Sequence, residues 1–148
     1  MANVDFTPLK VRIAEIFKVH MKINLIDMQT QNLTPSLKPY SSAVESEISG
    51  VAKGKIVLLS DDALANSIAK AFSSVPGSIS NEDILSELLN ILLGNVENHI
   101  VNDTNKKLIF RIPKKSSIEV IQKQLEHSNF CVTFKTETSH GCCIYIQR

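Results

Sequence analysis

The chain has 148 residues, 43% of them hydrophobic and 21% charged, which is the size and composition of one globular domain. Sixteen basic and fifteen acidic residues give a formal net charge of +1, so the concentrated basic surface of a nucleic-acid-binding protein is not expected. No apolar run approaches the roughly 20 residues that a membrane span requires, and the start lacks the pattern of a secretory signal. We therefore expect a single cytoplasmic domain over residues 1–148.

The first half of the sequence predicts a helix followed by a hairpin. Residues 5–21 place apolar side chains at helical spacing, with Pro8 in the first turn, where a missing N–H costs little. Residues 29–40 are polar and contain two prolines, which predicts a connection. Residues 42–49 and 55–59 are then predicted to be two strands of a hairpin.

The second half predicts three helices and three strands. Ser60, Asp61 and Asp62 can cap a helix that reaches residue 72, after which Pro76 and Gly77 end it. A second helix is predicted from Ser80 to about Val101, and a strand over residues 107–112 ends at Pro113. Ser116 and Glu119 form a capping box for a short helix that ends near His127.

The last segments, residues 130–136 and 142–147, are predicted to form a closing hairpin. The order of elements predicts an α+β fold in which two long helices pack on a mainly antiparallel sheet. The three cysteines, Cys131, Cys142 and Cys143, fit no zinc spacing and are predicted to be reduced thiols at strand positions. The four histidines are scattered, so no metal site is expected.

The predicted helix over residues 80–101 has two distinct faces. At about 100° per residue, one face is apolar and consists of Leu85, Leu88, Leu92 and Val96. The opposite face consists of Asp83, Glu87, Asn90, Gly94 and Glu97. Glu87 and Asn90 are one turn apart, so their side chains project together, and Gly94 leaves room beside Asn90 for another molecule. Periodicity alone indicates an amphipathic helix with a solvated polar face and does not indicate catalysis.

The spacing Asp83-x3-Glu87-x2-Asn90, followed after 22 residues by Pro113, resembles the signature of the CheC/CheX/FliY phosphatase family. The resemblance extends over residues 42–113, and the presence of only one Glu-x-x-Asn helix favours the CheX branch. After Pro113 the sequence departs from the family pattern, because Lys114 and Lys115 replace a loop of small residues.

This resemblance implies that the chain removes the phosphoryl group from the aspartyl phosphate of a CheY-like response regulator. Asn90 would orient the attacking water, and Glu87 would pair with a lysine of the regulator. The other members of the polar face, Asp83, Gly94 and Glu97, would contact the partner, although Asp83 has capping of its own helix as an alternative role. Pro113 would be structural. The Mg²⁺ would belong to the regulator, so the chain needs no cofactor of its own.

Two alternatives remain open at this point. The chain could bind a response regulator without hydrolysing its phosphate, as an adaptor, or it could be a flagellar-switch or scaffold module on the same fold. The resemblance also implies a homodimer, formed through a sheet edge if the uncharged closing strand is an edge strand. The other possibility for this strand is a position inside the sheet, between residues 130–136 and 55–59.

Overall fold

A computed structural model describes residues 5–31, 35–72, 79–94, 96–100 and 107–148. Within these ranges the helices are α1 (Thr7–Glu15), α2 (Asp62–Ala71), α3 (Asn81–Gly94), α4 (Glu97–Ile100) and α5 (Ile118–Gln124). A π-helical turn, Ile16–His20, extends α1, and a 3-10 turn, Leu125–His127, extends α5. The strands are β1 (Asp27–Gln31), β2 (Ser42–Gly50), β3 (Gly54–Ser60), β4 (Leu108–Phe110), β5 (Lys114–Ser116), β6 (Ser128–Lys135) and β7 (His140–Gln147).

The strands form one antiparallel sheet in the order β1-β6-β7-β3-β2-β4, and β5 pairs with β2 next to β4. Two tight hairpins, β2–β3 and β6–β7, build the centre of this sheet. Gly54 begins β3 with a φ of +147°, and a Cβ there would overlap the carbonyl group of Ile146. The position therefore requires a glycine.

Both faces of the sheet are covered. Helices α1, α2 and α3 lie on one face, where their apolar side chains form the larger core with strand residues such as Val44, Leu58 and Phe134. Helix α5 covers part of the other face, where Ile121 and Leu125 pack on a smaller core. The predicted α+β fold is confirmed. Among the described residues, no helix is long and apolar enough to cross a membrane.

The three cysteines lie in β6 and β7 and are buried, as the sequence predicts. Cys143 faces the larger core, whereas Cys131 and Cys142 face the smaller one with their sulfur atoms 3.5 Å apart. Burial raises the pKa of the Cys143 thiol to about 12, so this group is a protonated thiol at neutral pH.

Several predicted elements differ from the observed ones. Residues 29–40 are not wholly a connection, because β1 pairs along its length with β6 and places Met28 opposite Phe134. The predicted strand 107–112 is limited to β4, and a second short strand, β5, follows Pro113. The cap of α5 is Ser117 rather than Ser116, since the Ser117 hydroxyl accepts from the Val120 N–H at 3.2 Å. Pro76, Gly77 and Val101 lie outside the described residues.

Of the two positions considered for the closing strand, the one inside the sheet is confirmed and the edge position is excluded. Strand β7 lies inside the sheet, hydrogen-bonded to β6 on one side and to β3 on the other. Its uncharged sequence is explained by this burial, since six consecutive residues from Gly141 to Ile146 are buried. The outer strands are β1 on one side and β4 with β5 on the other.

Candidate functional site

Helix α3 begins at a well-defined point. The Ser80 hydroxyl accepts from the N–H of Asp83 at 3.1 Å, which is the expected N-cap bond. The Asn81 amide donates to the Asp62 carboxylate at 2.9 Å, and the Ser41 hydroxyl donates to the same oxygen at 2.7 Å. These bonds attach the start of α3 to the first turn of α2 and to the residue that precedes β2.

The apolar face of α3 is fully used in packing. Its buried residues are Ile84, Leu85, Leu88, Leu89, Leu92 and Leu93, each at most 5% exposed. They pack against β2 and β3 and bring α3 next to α1, α2 and β5. The predicted orientation of the helix is therefore confirmed, and its opposite face is held in a fixed position.

The exposed face of α3 presents Asp83, Glu87, Asn90 and Gly94, as the periodicity predicts. Asn90 is three positions after Glu87, so the two residues are about 4.5 Å apart along the helix axis and about 60° apart around it. Within the described part of the chain, no cation lies within ion-pair distance of Asp83 or Glu87. None of the described side-chain hydrogen bonds uses the Asp83 carboxylate, and the Ser80 hydroxyl caps the helix through the Asp83 main-chain N–H.

Gly94 is the last residue of α3 rather than a residue of the helix interior. Helices commonly end near a glycine. A Cβ built at this position would meet no atom within 4 Å. The surface next to Asn90 is consequently open, as the sequence predicts.

Glu97 is not on the same continuous helix as Asn90. The predicted helix over residues 80–101 is divided into α3 and the short α4, and Glu97 is the first residue of α4. Its side chain lies outside the described part of the structure. The predicted alignment of Glu97 with Asp83, Glu87 and Asn90 on one helix is therefore wrong.

Pro113 lies half-buried between β4 and β5, the two short strands that pair with β2. Next to it, the Ser46 hydroxyl donates to the Arg111 carbonyl at 2.6 Å. Because proline has no N–H, it interrupts the hydrogen-bond ladder at this edge. Its structural role stays a prediction.

Two residues near the predicted site, Ile91 and Lys115, were not among the site residues that the sequence predicted. Ile91 is 38% exposed beside Asn90, and its position four residues after Glu87 already placed it near the polar face. Lys115 belongs to β5, which lies next to α3. Three polar residues do not resemble a strand, so no sequence signal indicated this neighbour.

Among the described residues, no cluster of three metal-binding side chains is present.

No protein-family model and no curated protein matches the chain, whereas solved structures match it over nearly its whole length. A chain of the CheX–CheY–BeF3–Mg²⁺ complex from Borrelia burgdorferi is 16% identical, with a TM-score of 0.73 and coverage of 99% of this chain and 100% of that one. The chain has the CheX fold. CheX from Vibrio vulnificus also aligns with a TM-score of 0.73, at 11% identity and with 97% and 98% coverage.

The CheX fold is shared more widely. FliY from Thermotoga maritima aligns with a TM-score of 0.54 at 10% identity, covering 98% of this chain and 85% of FliY. At these identities the similarity establishes the fold of the chain and leaves the activity open. The predicted site, Asp83, Glu87, Asn90 and Gly94, thus lies on the exposed face of α3 in a CheX fold.

Proposed function

We propose that the chain removes the phosphoryl group from the aspartyl phosphate of a CheY-like response regulator. The observation that best supports this proposal is the exposed pair Glu87–Asn90, one turn apart on a helix whose other face is fully buried. The fold is that of CheX, and one of the similar structures contains CheX together with CheY, BeF3 and Mg²⁺. We place the activity in the cytoplasm and assign the Mg²⁺ to the regulator.

The carboxamide of Asn90 suits this chemistry. Its carbonyl oxygen accepts a hydrogen bond from water while its amide group donates toward the phosphoryl oxygens. Water then attacks phosphorus in line with the bond to the aspartate, which breaks to give the free carboxylate and inorganic phosphate. A neutral amide adds no negative charge next to the phosphate, and phosphoryl transfer is catalysed mainly by such positioning.

The test compares phosphate release from a phosphorylated CheY-like protein, loaded with a small-molecule phosphodonor and Mg²⁺, with and without the chain. Faster release supports the proposal. Binding of the phosphorylated regulator without faster release would instead indicate the adaptor. Binding that does not depend on phosphorylation would indicate the switch or scaffold module.

Glu87 is proposed to pair with a lysine beside the phosphorylated aspartate of the regulator. An ion pair that loses its water at an interface contributes more than one that stays exposed. Glu87→Ala is therefore expected to raise the Kd for the regulator by at least about tenfold, a change of about 1.4 kcal/mol in binding free energy. Calorimetry with a BeF3-loaded regulator measures this change.

The matched control is Glu119→Ala, which removes an exposed glutamate from α5 on the opposite side of the sheet. This variant is expected to bind like the wild type. The lysine-pairing role would be refuted if Glu87→Ala and Glu119→Ala bound with the same affinity. Activity of Glu87→Ala should recover in part at high regulator concentration, because the change acts on docking.

The homodimer stays a prediction, although β7 is not available to form it. Among the described strands, β1 is outermost and no other strand pairs with its edge away from β4 and β5, so two copies can pair there with twofold symmetry. This arrangement leaves both copies of α3 open. Light scattering is expected to give about twice the 16.4 kDa mass of the chain, and a monomer mass that persists on concentration would refute the dimer.

A further inference from the structure

Strand β5 places Lys115 beside the candidate site. Lys115 pairs with Val44 of β2, and side chains of directly paired residues project from the same face of a sheet. Val44 is completely buried in the larger core, together with the leucines of α3. Lys115 therefore projects on the side of the sheet that α3 covers, but at the outer edge, where it is exposed.

The basic residues around Lys115 face the other side of the sheet and have acidic partners. Lys114 lies 3.5 Å from the Glu47 carboxylate, Arg111 lies 3.9 Å from the same group, and Lys55 lies 3.3 Å from Glu45. In contrast, no carboxylate of the described residues lies within ion-pair distance of Lys115. The positive charge of Lys115 is thus not neutralised within the described structure.

The position of Lys115 along α3 follows from the strand register. Hydrogen bonds to Asp62 hold the start of α3 near the start of β2, and Lys115 pairs with the third residue of β2. Lys115 consequently lies alongside the first half of α3, which also contains Asp83 and Glu87. A flexible cation here is positioned to contact a molecule that binds the exposed face of α3.

We propose that Lys115 is a partner-binding residue that favours the phosphorylated form of the regulator, an inference that rests on the proposed function. The phosphoryl group carries a charge of about −1.5 to −2, and the exposed carboxylates of Asp83 and Glu87 repel it. Lys115 offsets this repulsion at the edge of the exposed face of α3, where the regulator would dock. Charges at the rim of an interface act mainly on the association rate and its salt dependence.

The experiment measures the association rate constant by stopped flow for the full chain and a CheY-like regulator loaded with BeF3 and Mg²⁺. Lys115→Gln is compared with Lys114→Gln. The control removes the same charge from the neighbouring residue, which lies on the opposite face of the sheet. At about 20 mM salt, Lys115→Gln is expected to associate about five- to tenfold more slowly, and at about 300 mM the difference should largely disappear. Lys114→Gln should stay within about twofold of the wild type, since surface ion pairs contribute little.

Two further readouts separate this role from a general structural effect. Lys115→Arg should restore the association rate, and the association rate with the unphosphorylated regulator should differ less between Lys115→Gln and the wild type. Equal association rates for Lys115→Gln and Lys114→Gln at low salt would overturn the inference while leaving the proposed function intact. A wild-type chain that binds without accelerating phosphate release would overturn the phosphatase proposal alone, because the comparison of association rates still decides the role of Lys115. A wild-type chain that does not bind the regulator would overturn both.

Discussion

Replacement of Asn90 by alanine is expected to lower the accelerated dephosphorylation of the regulator about 10²- to 10³-fold, the usual effect of removing one well-positioned hydrogen-bonding group. The variant keeps the docking surface but has no group to orient the attacking water. Phosphate release under single-turnover conditions is the measurement, with a regulator that has been phosphorylated beforehand. Retention of wild-type activity would rule out Asn90 as the water-orienting residue.

Two controls show whether the loss of activity in Asn90→Ala comes from the chemical step rather than from misfolding or weaker binding. The exposed position of Asn90 predicts that alanine changes the free energy of unfolding by no more than about 0.5 kcal/mol. Affinity for a BeF3-loaded regulator should also change little. Asn90→Asp keeps the shape of the side chain but places a carboxylate against the phosphoryl group, so it should be inactive as well.

A large loss of stability is expected for Leu88→Ala. Leu88 is completely buried on the face opposite Glu87 and Asn90, and its truncation leaves a cavity between α3 and the sheet. We expect a loss of about 2–5 kcal/mol in the free energy of unfolding, a large share of the roughly 5–15 kcal/mol that is typical of a domain. Urea denaturation measures it as a lower midpoint with an unchanged slope.

Ile91→Ala is the matched control for this change, because Ile91 is an apolar residue of the same helix that is 38% exposed. Its truncation should cost less than about 1 kcal/mol, since surface substitutions have small effects. If Leu88→Ala and Ile91→Ala lowered the midpoint equally, the described packing of α3 on the sheet would be incorrect.

Local sequence patterns predicted the parts of this fold that local forces decide. The strands of the β2–β3 hairpin, the cap at Ser80 and the buried face of α3 each follow from propensity, turn chemistry or helical periodicity. The exposed positions of Glu87 and Asn90 follow from the same periodicity. Their proposed roles in catalysis and docking rest on family resemblance and require the experiments above.

The elements that the sequence did not predict depend on distant parts of the chain. Strand β1 forms because β6 offers an open edge and because Met28 packs against the larger core, and neither fact is visible in residues 27–31. Strand β5 forms because β2 has room beside β4, although its residues have low strand propensity. The end of α3 at Gly94 was missed because Val96 continues the apolar period beyond the end of the helix.

The division of α3 into a buried and an exposed face has an evolutionary consequence. The side chains of Asp83, Glu87 and Asn90 take part in none of the described hydrogen bonds or ion pairs that hold the fold together. Changes at such independent surface positions should be nearly additive with changes in the core. If the proposed function is correct, single substitutions at these positions can adapt the helix to a regulator with a different surface, and each variant on the way should stay folded.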